Sequence, residues 1–241
     1  RMRELLHNIK IQPLPHFGKE AVEVDILRLD LLHPVVSGNK WFKLQYYLLD
    51  ALATNKHTIA TFGGVYSNHI IATAFAAKEA GLQSIGYIRG EMVGDPSLTL
   101  LQARSYGMEL IFVDRGPYRD KEAIIREHDH PGIYWIMEGG YGELGAKGTA
   151  EILAVADTHR YTHILCAAGT GTMMAGLIKS AEPHQQVTGI SILKNQAGLE
   201  KEVSALLDDM EKQKSFSILH DYHFGGYAKH PAPLISFMKD L

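Results

Sequence analysis

Along the 241 residues the rhythm of apolar and polar positions switches repeatedly between the period of a buried strand and that of an amphipathic helix. From residue 58 onward the switching is regular. Thr58 to Gly64 reads as a strand ending in glycines, and the alanine-rich stretch Ser67 to Ala80 as a helix closed by Gly81. The unit then recurs: strand Ser84–Ile88, helix Leu98–Tyr106 stopped at Gly107, strand Leu110–Val113, helix Lys121–Glu127, strand Ile133–Ile136. It continues with a helix from Ala146 to Ala156, strand His163–Cys166, helix Met173–Ser180, strand Val187–Leu193 and charged helix Leu199–Lys212; a last helix is expected over Pro231–Asp240. Strands separated by helices imply parallel sheets, because parallel neighbours need crossover connections, and those helices should cover both faces. The start differs: Glu23 to Leu29 alternates as an isolated strand would, and an aromatic-rich helix follows from Trp41 to Ala53. No Pro-, Gly- or Ser-rich linker and no repeat beyond the βα unit marks a domain boundary.

In an open α/β sheet, ligands bind beyond the carboxyl ends of the strands, and three loops in such positions have unusual contents. Gly169-Thr170-Gly171-Thr172 lies between a strand and an apolar helix; it is either a tight turn or a cradle in which backbone N–H groups, a helix start and two hydroxyls hold a phosphate. Its spacing is neither that of a dinucleotide fingerprint nor that of a Walker lysine loop. In Gly63-Gly64-Val65-Tyr66-Ser67-Asn68-His69, Ser67 or Asn68 either caps the next helix or presents a hydroxyl and a carboxamide to a small molecule. In Ser37-Gly38-Asn39-Lys40 a lysine stands at the first turn of a helix, where the dipole disfavours a cation, and Lys43 on the same face repels it further. Lys40 is either a solvated surface lysine or an amine with a depressed pKa, suited to Schiff-base chemistry. An imine-forming amine, a phosphate cradle and a separate Ser-Asn loop are the parts needed to hold pyridoxal 5'-phosphate (PLP), which carries an aldehyde, a phosphate and a phenolic oxygen.

These residues resemble the 1-aminocyclopropane-1-carboxylate deaminase and D-cysteine desulfhydrase family, PLP enzymes of the tryptophan synthase β-like fold. The matching motifs are Gly38-Asn39-Lys40 with Lys43-Leu44, Gly63-Gly64 with Ser67-Asn68-His69, Glu138-Gly139-Gly140 with Leu144-Gly145, and Gly169-Thr170-Gly171 with Ala175-Gly176. The resemblance implies an α/β fold of two open, mainly parallel sheets. A smaller domain, residues 44–142, would be inserted in a larger one made of 1–43 and 143–241, with the cofactor between them. It implies that Lys40 carries the cofactor as a Schiff base, that Asn68 bonds the phenolic oxygen, that Gly169, Thr170, Gly171 and Thr172 hold the phosphate, and that Lys43 adds charge beside it. Ser67 would contact the substrate carboxylate or move a proton, with Asn68, His69, Gly140 and Tyr227 also on the substrate side. Two departures stand out. Met173 and Met174 occupy positions where relatives commonly place Thr and a polar residue, and the sequence stops at Leu241, before the segment that in relatives faces the pyridine nitrogen, so the large domain is expected to be truncated.

Composition narrows the partners. With 24 Lys+Arg against 27 Asp+Glu, the net charge of −3 supplies no field to hold a polyanion, so neither nucleic acid nor a membrane surface is expected. No apolar run approaches the length of a membrane span, and the first residues lack the core of a secretory signal; the expectation is a cytoplasmic protein. The single cysteine, Cys166, lies in a predicted buried strand and reads as packing. His128-Asp-His130 and His220-Asp-Tyr-His223 do not fall on one helix face and lack a third ligand, so no metal is expected. Tyr46, Tyr47, Trp41 and Phe42 read as core or domain-contact aromatics. The function expected is a PLP-dependent deaminase or lyase, a homodimer, that turns a small amino acid into an α-keto acid and ammonia, with sulfide if the substrate is D-cysteine. The alternatives are a non-catalytic PLP- or phosphate-binding protein and, last, a nucleotide-dependent oxidoreductase.

Overall fold

The computed structural model describes residues 2–15, 22–91, 94–194, 196–226 and 229–239. Tyr227, expected on the substrate side, and Asp240, the expected end of the last helix, lie outside the described residues. The elements are β1 (Ile11–Pro13), β2 (Asp25–Leu27), α1 (Lys40–Ala53), β3 (Thr58–Gly63), α2 (Asn68–Glu79), β4 (Gln83–Arg89), α3 (Leu98–Ser105), β5 (Met108–Val113), α4 (Lys121–His128), β6 (Ile133–Ile136), α5 (Glu143–Thr149), β7 (His163–Ala168), α6 (Thr172–Ser180), β8 (Gln186–Ser191), α7 (Leu199–Ala205), β9 (Phe216–Leu219) and α8 (Ala232–Lys239). Among them no helix is long and apolar enough to cross a membrane.

Two parallel sheets carry the fold. The first has the order β5-β4-β3-β6 and the second β7-β8-β9. Every residue of β3 is buried, as a central strand covered on both faces requires. One face of its sheet packs Ile70 and Ala74 of α2 and Leu100 of α3 against Ile88 and Met108, and the other packs Phe62, Tyr87 and Ile133 against Ile124 of α4 and Tyr118 in the 3-10 turn before it. The three-stranded sheet departs from the expectation of helices on both faces. Among the described residues its core, with Cys166, Ala168 and Val187, lies under α6 and α7, whereas Leu165 on the opposite face of β7 is 67% exposed.

The periodicity places most elements to within two residues, and the differences have local causes. The strand expected to stand alone near Glu23–Leu29 is β2, paired antiparallel with β1 (Ile11 opposite Leu27), a three-residue strand too short to show a period. The helix expected over Ala146–Ala156 runs instead from Glu143 to Thr149 and gives way to a 3-10 turn, Ile152–Ala154. The one expected over Leu199–Lys212 stops at Ala205. There a new turn begins with a reciprocal cap: Asp208 Oδ1 accepts from the Glu211 N–H at 2.8 Å, and Glu211 Oε2 accepts from the Asp208 N–H at 2.9 Å. β9 follows that turn and was not foreseen.

Helix α1 belongs to both halves. Phe42 packs into the core under the three-stranded sheet, whereas Leu44, Tyr47, Leu48 and Ala51 pack beside the four-stranded one, so the expected boundary at residues 43 and 44 falls inside a continuous helix. Helix α5 lies against α1 and α6 at backbone distance: a Cβ on Gly148 would stand 1.8 Å from the Phe42 carbonyl oxygen, and one on Gly176 would stand 2.0 Å from Thr149 Oγ1. Thr149 Oγ1 is also in hydrogen-bond contact with the Thr172 carbonyl at 3.1 Å, which joins the end of α5 to the start of α6.

Alanine at Gly148 would gain about 1 kcal/mol of helix propensity but drive a methyl into rigid backbone, which costs roughly 1–3 kcal/mol or more. Gly148→Ala is therefore expected to lower stability in denaturant unfolding of the apo-protein. Gly198→Ala, where a Cβ meets nothing within 4 Å, should change it by less than about 1 kcal/mol.

Candidate active site

The start of α1 brings its two lysines into the interior. Lys40 Nζ donates to Asn39 Oδ1 at 2.7 Å, and Asn39 Nδ2 contacts Met173 Sδ at 3.0 Å. Asn39 is the N-cap of α1, yet its side chain caps no backbone N–H; the carboxamide is spent instead on the lysine and on α6. The Lys40 amine is held below its ordinary pKa by burial. Lys43, only 6% exposed, donates to the Gly139 carbonyl at 3.0 Å and is pushed down to about 7, by burial first and by the neighbouring Lys40 second. The depression expected of Lys40 is thus present, but its cause is desolvation rather than the helix dipole.

The strand order of the four-stranded sheet reverses at β3, which has β4 and β5 on one side and β6 on the other. The carboxyl ends of β3 and β6 therefore flank a switch point, the usual place for a ligand in an open α/β sheet. From the end of β3 come Ser67, Asn68 and His69. Ser67 is the N-cap of α2, its Oγ accepting from the Ile70 N–H at 3.4 Å, so its own hydrogen stays available; Asn68 is exposed at the first position of the helix. His69 turns inward. It is 3% exposed, and because Thr61 Oγ1 donates to the Ile136 carbonyl at 2.8 Å, the His69 Nε2–H is the donor across its own 2.8 Å contact with Thr61. Nδ1 is thereby a bare acceptor, with no partner among the described residues, and burial and the two lysines push the ring down to about 3.

From the end of β6 comes Glu138-Gly139-Gly140, in which both glycines adopt positive φ, 68° and 71°. A Cβ on Gly139 would stand 2.6 Å from Thr170 Cγ2, and one on Gly140 would stand 3.2 Å from Lys43 Cβ, so only glycine lets this turn lie against both. Glu138 forms an ion pair with Lys121 at 3.1 Å, and Tyr47 Oη donates to the Tyr141 carbonyl at 2.9 Å, tying α1 to the same segment.

The loop after β7 completes the site. Gly171, at φ 82°, turns the chain into α6, and Thr170 Oγ1 lies 3.1 Å from Thr172 Oγ1. Among the described residues, the N–H groups of Gly169, Thr170, Gly171 and Thr172 donate to no backbone carbonyl. A row of unclaimed N–H groups at a helix start is an anion cradle. The Gly169 carbonyl faces the other way and accepts from Gln196 Nε2. The two methionines differ in their use: Met173 contacts Asn39, while Met174 is fully buried against β8, where a Cβ on Gly189 would stand 2.4 Å from its sulfur.

An amine of lowered basicity, an anion cradle and a turn of glycines that fits between them define a site for a cofactor with an aldehyde and a phosphate, and the residues present fit PLP on that donor set. Comparison with known proteins agrees. Residues 3–218 match the family described as pyridoxal-phosphate dependent enzyme. A protein of Thermotoga maritima, provisionally named a 1-aminocyclopropane-1-carboxylate deaminase, is 31% identical over 246 residues, spanning 92% of this chain and 78% of its own. A mitochondrial protein of Arabidopsis thaliana, named a bifunctional D-cysteine desulfhydrase/1-aminocyclopropane-1-carboxylate deaminase, is 26% identical and matches over 98% of this chain and 65% of its own. The crystal structure of an ACC deaminase homologue superposes with a TM-score of 0.75 at 26% identity, covering 95% of this chain and 78% of that one. The chain belongs to the PLP-dependent enzymes of the 1-aminocyclopropane-1-carboxylate deaminase and D-cysteine desulfhydrase family.

Of the residues expected in the site, the structure links Lys43 to the Gly139 turn, that turn to Thr170, and Lys40 through Asn39 to α6; His69 is drawn into the core behind the same glycines. Asn39, Thr61 and Gln196 take part as well, without a role assigned to them by the sequence. Asn39 could have been found as the neighbour of the lysine, whereas no signal in the sequence marks Thr61 or Gln196.

Because the Lys43 pKa is about 7 in the folded protein and roughly 10.4 in an unfolded chain, the unfolded state binds the extra proton between those values. Folding stability from this group therefore rises with pH across that window and is lost as pH falls toward the folded value. Apo-protein carrying Lys43→Met should be more stable than wild type near neutral pH, and the difference should shrink toward pH ~10; urea unfolding at several pH values measures it.

Proposed function

We propose that the protein is a deaminase or lyase that converts a small amino acid of the 1-aminocyclopropane-1-carboxylate or D-cysteine type, with water, into an α-keto acid and ammonia, and releases sulfide when the substrate is D-cysteine. The observation that carries this reading is the half-buried Lys40 amine, lowered in basicity and held by Asn39, whose carboxamide also contacts Met173 of α6 next to the phosphate loop. The cofactor, when bound, supplies an aldehyde for the amine and a ring that takes up negative charge from the substrate carbon. Lys40, Lys43, Asn68, Gly169, Thr170, Gly171 and Thr172 would hold it.

In this reading Lys40 is nucleophile first and base second: a neutral amine can bond a carbonyl carbon and, once released, take a proton from the substrate carbon and return it to the product. Ser67 keeps its hydroxyl hydrogen free to donate to a carboxylate or to be passed on in a proton transfer, since the helix cap uses only a lone pair of its oxygen. Asn68 would donate from the helix start, and Gly140 and Tyr227 are assigned to the substrate side by the family resemblance. His69, neutral and fixed by Thr61, has only Nδ1 to offer, as an acceptor through a bridging water. The smaller domain, residues 44–142, would be set within the larger one made of 1–43 and 143–241, with α1 running from one into the other, in a cytoplasmic homodimer.

Wild-type protein reconstituted with PLP should gain the visible absorption of a lysine-bound cofactor, and Lys40→Ala should not. Ammonia and α-keto acid should form from 1-aminocyclopropane-1-carboxylate or D-cysteine, and the variant should lose at least about 10³-fold in rate, the scale of removing a nucleophile. Cofactor binding with no turnover on these substrates or on D-serine would instead establish a non-catalytic PLP-binding protein.

A further inference from the structure

At the amino ends of β7 and β8, on the opposite edge of that sheet from the Gly169–Thr172 loop, two surface loops bring together His159, Glu182 and His184. Their ligand atoms all lie within 4.8 Å of one another. His159 Nδ1 is 2.8 Å from Glu182 Oε2, and His184 Nδ1 is 3.7 Å from the same oxygen, too far for a hydrogen bond. Donor atoms around a four-coordinate zinc ion, bonded at about 2.0–2.1 Å, stand roughly 3.3 Å apart, so small side-chain rotations convert this cluster into three ligands of a tetrahedron.

Two further features show that the cluster is built rather than incidental. His184 Nε2 is 2.9 Å from the His159 carbonyl; that carbonyl can only accept, so Nε2 carries a hydrogen, and in the neutral ring the lone pair is on Nδ1, the atom nearest Glu182. A ring N–H bonded to a backbone carbonyl is the partner that usually orients a metal-ligating histidine. The loops are also fastened to each other by Gln185, which is 3% exposed: its Nε2 donates to the Thr158 carbonyl at 2.9 Å and to the Tyr161 carbonyl at 3.0 Å, while its Oε1 accepts from the Glu182 N–H at 3.0 Å. The three ligand-bearing residues are thus each within three positions of one buried cross-link. The ligand side chains themselves are open to solvent, 75%, 42% and 43% exposed for His159, Glu182 and His184, so an ion can reach them.

We propose that His159, Glu182 and His184 bind a borderline divalent transition-metal ion of the zinc class, with water in the fourth position. Two imidazole nitrogens and one carboxylate suit zinc, and also copper(II) or nickel(II), while calcium and magnesium call for oxygen-only sets. The ion stands at the opposite edge of the sheet from the cofactor loop and takes no part in the reaction. It clamps the 158–161 loop to the 182–185 loop.

The test is zinc binding by the PLP-loaded protein in competition with a chromophoric chelator. Wild type should bind one zinc ion per chain at least tenfold more tightly than His159→Ala or His184→Ala, and zinc should raise the thermal midpoint of wild type only. Calcium at the same concentration should do neither. Should an alanine variant fail to fold, Glu182→Gln, which removes the charge and keeps the side-chain shape, should weaken zinc binding in the same direction. Equal zinc affinity in wild type and the folded variants, as the other histidines alone would give, overturns the proposal.

Discussion

The approach of α5 to its two neighbours at backbone distance is the constraint on which the rest of the site depends. Gly148 lets α5 meet the Phe42 carbonyl of α1, Gly145 lets it pass the Gly140 carbonyl, and Gly176 lets α6 close on Thr149. Those three segments carry the lysines, the glycine turn after β6 and the anion cradle. A side chain at any of these positions would spread the segments apart by a methyl's width, which is a large displacement for groups that must meet one small molecule.

That packing also sets the electrostatics. Drawing Lys43 into the interior with Lys40 half-buried beside it, and among the described residues only one side-chain oxygen and one carbonyl to receive them, makes protonation unfavourable for both. The near-neutral whole-chain charge is therefore no guide to the site: its character comes from desolvation and from unclaimed N–H groups, which act over a few ångströms. Asn39 makes the exchange visible, since it gives up capping α1 to hold the amine.

The alternation of strands and helices was legible because it rests on periodicity, and so were the three loops, because glycine, hydroxyl and amine chemistry concentrates where strands end. What was not legible lies in contacts between distant residues. β1, with three residues, is too short to show a period, and the helix break at Leu206 to Asp208, after which β9 begins, depends on a cap rather than on composition. The partnership of Thr61 with His69, the filling of the space at Gly189 by Met174, and the hold of Gln196 on Gly169 all join segments with no local signature. The histidines told the same story: those with short spacings, His128 with His130 and His220 with His223, attracted notice, whereas His159 and His184 come together only because the loops before β7 and β8 are neighbours. The depression of Lys40 is legible in direction, from the helix dipole and the nearby Lys43, but not in its cause, desolvation, because burial cannot be read at a helix start.

Cys166 takes on a meaning beyond packing. It lies on β7 within electrostatic reach of Lys43, and burial pushes its thiol up to about 12. Thiolates attack aldehydes as readily as amines do, and the thiol form does not. The one sulfhydryl of the chain is thus held above its ordinary pKa while the nearby amines lie below theirs, so of this chain's own groups in that interior it is nitrogen, not sulfur, that is set to act as a nucleophile.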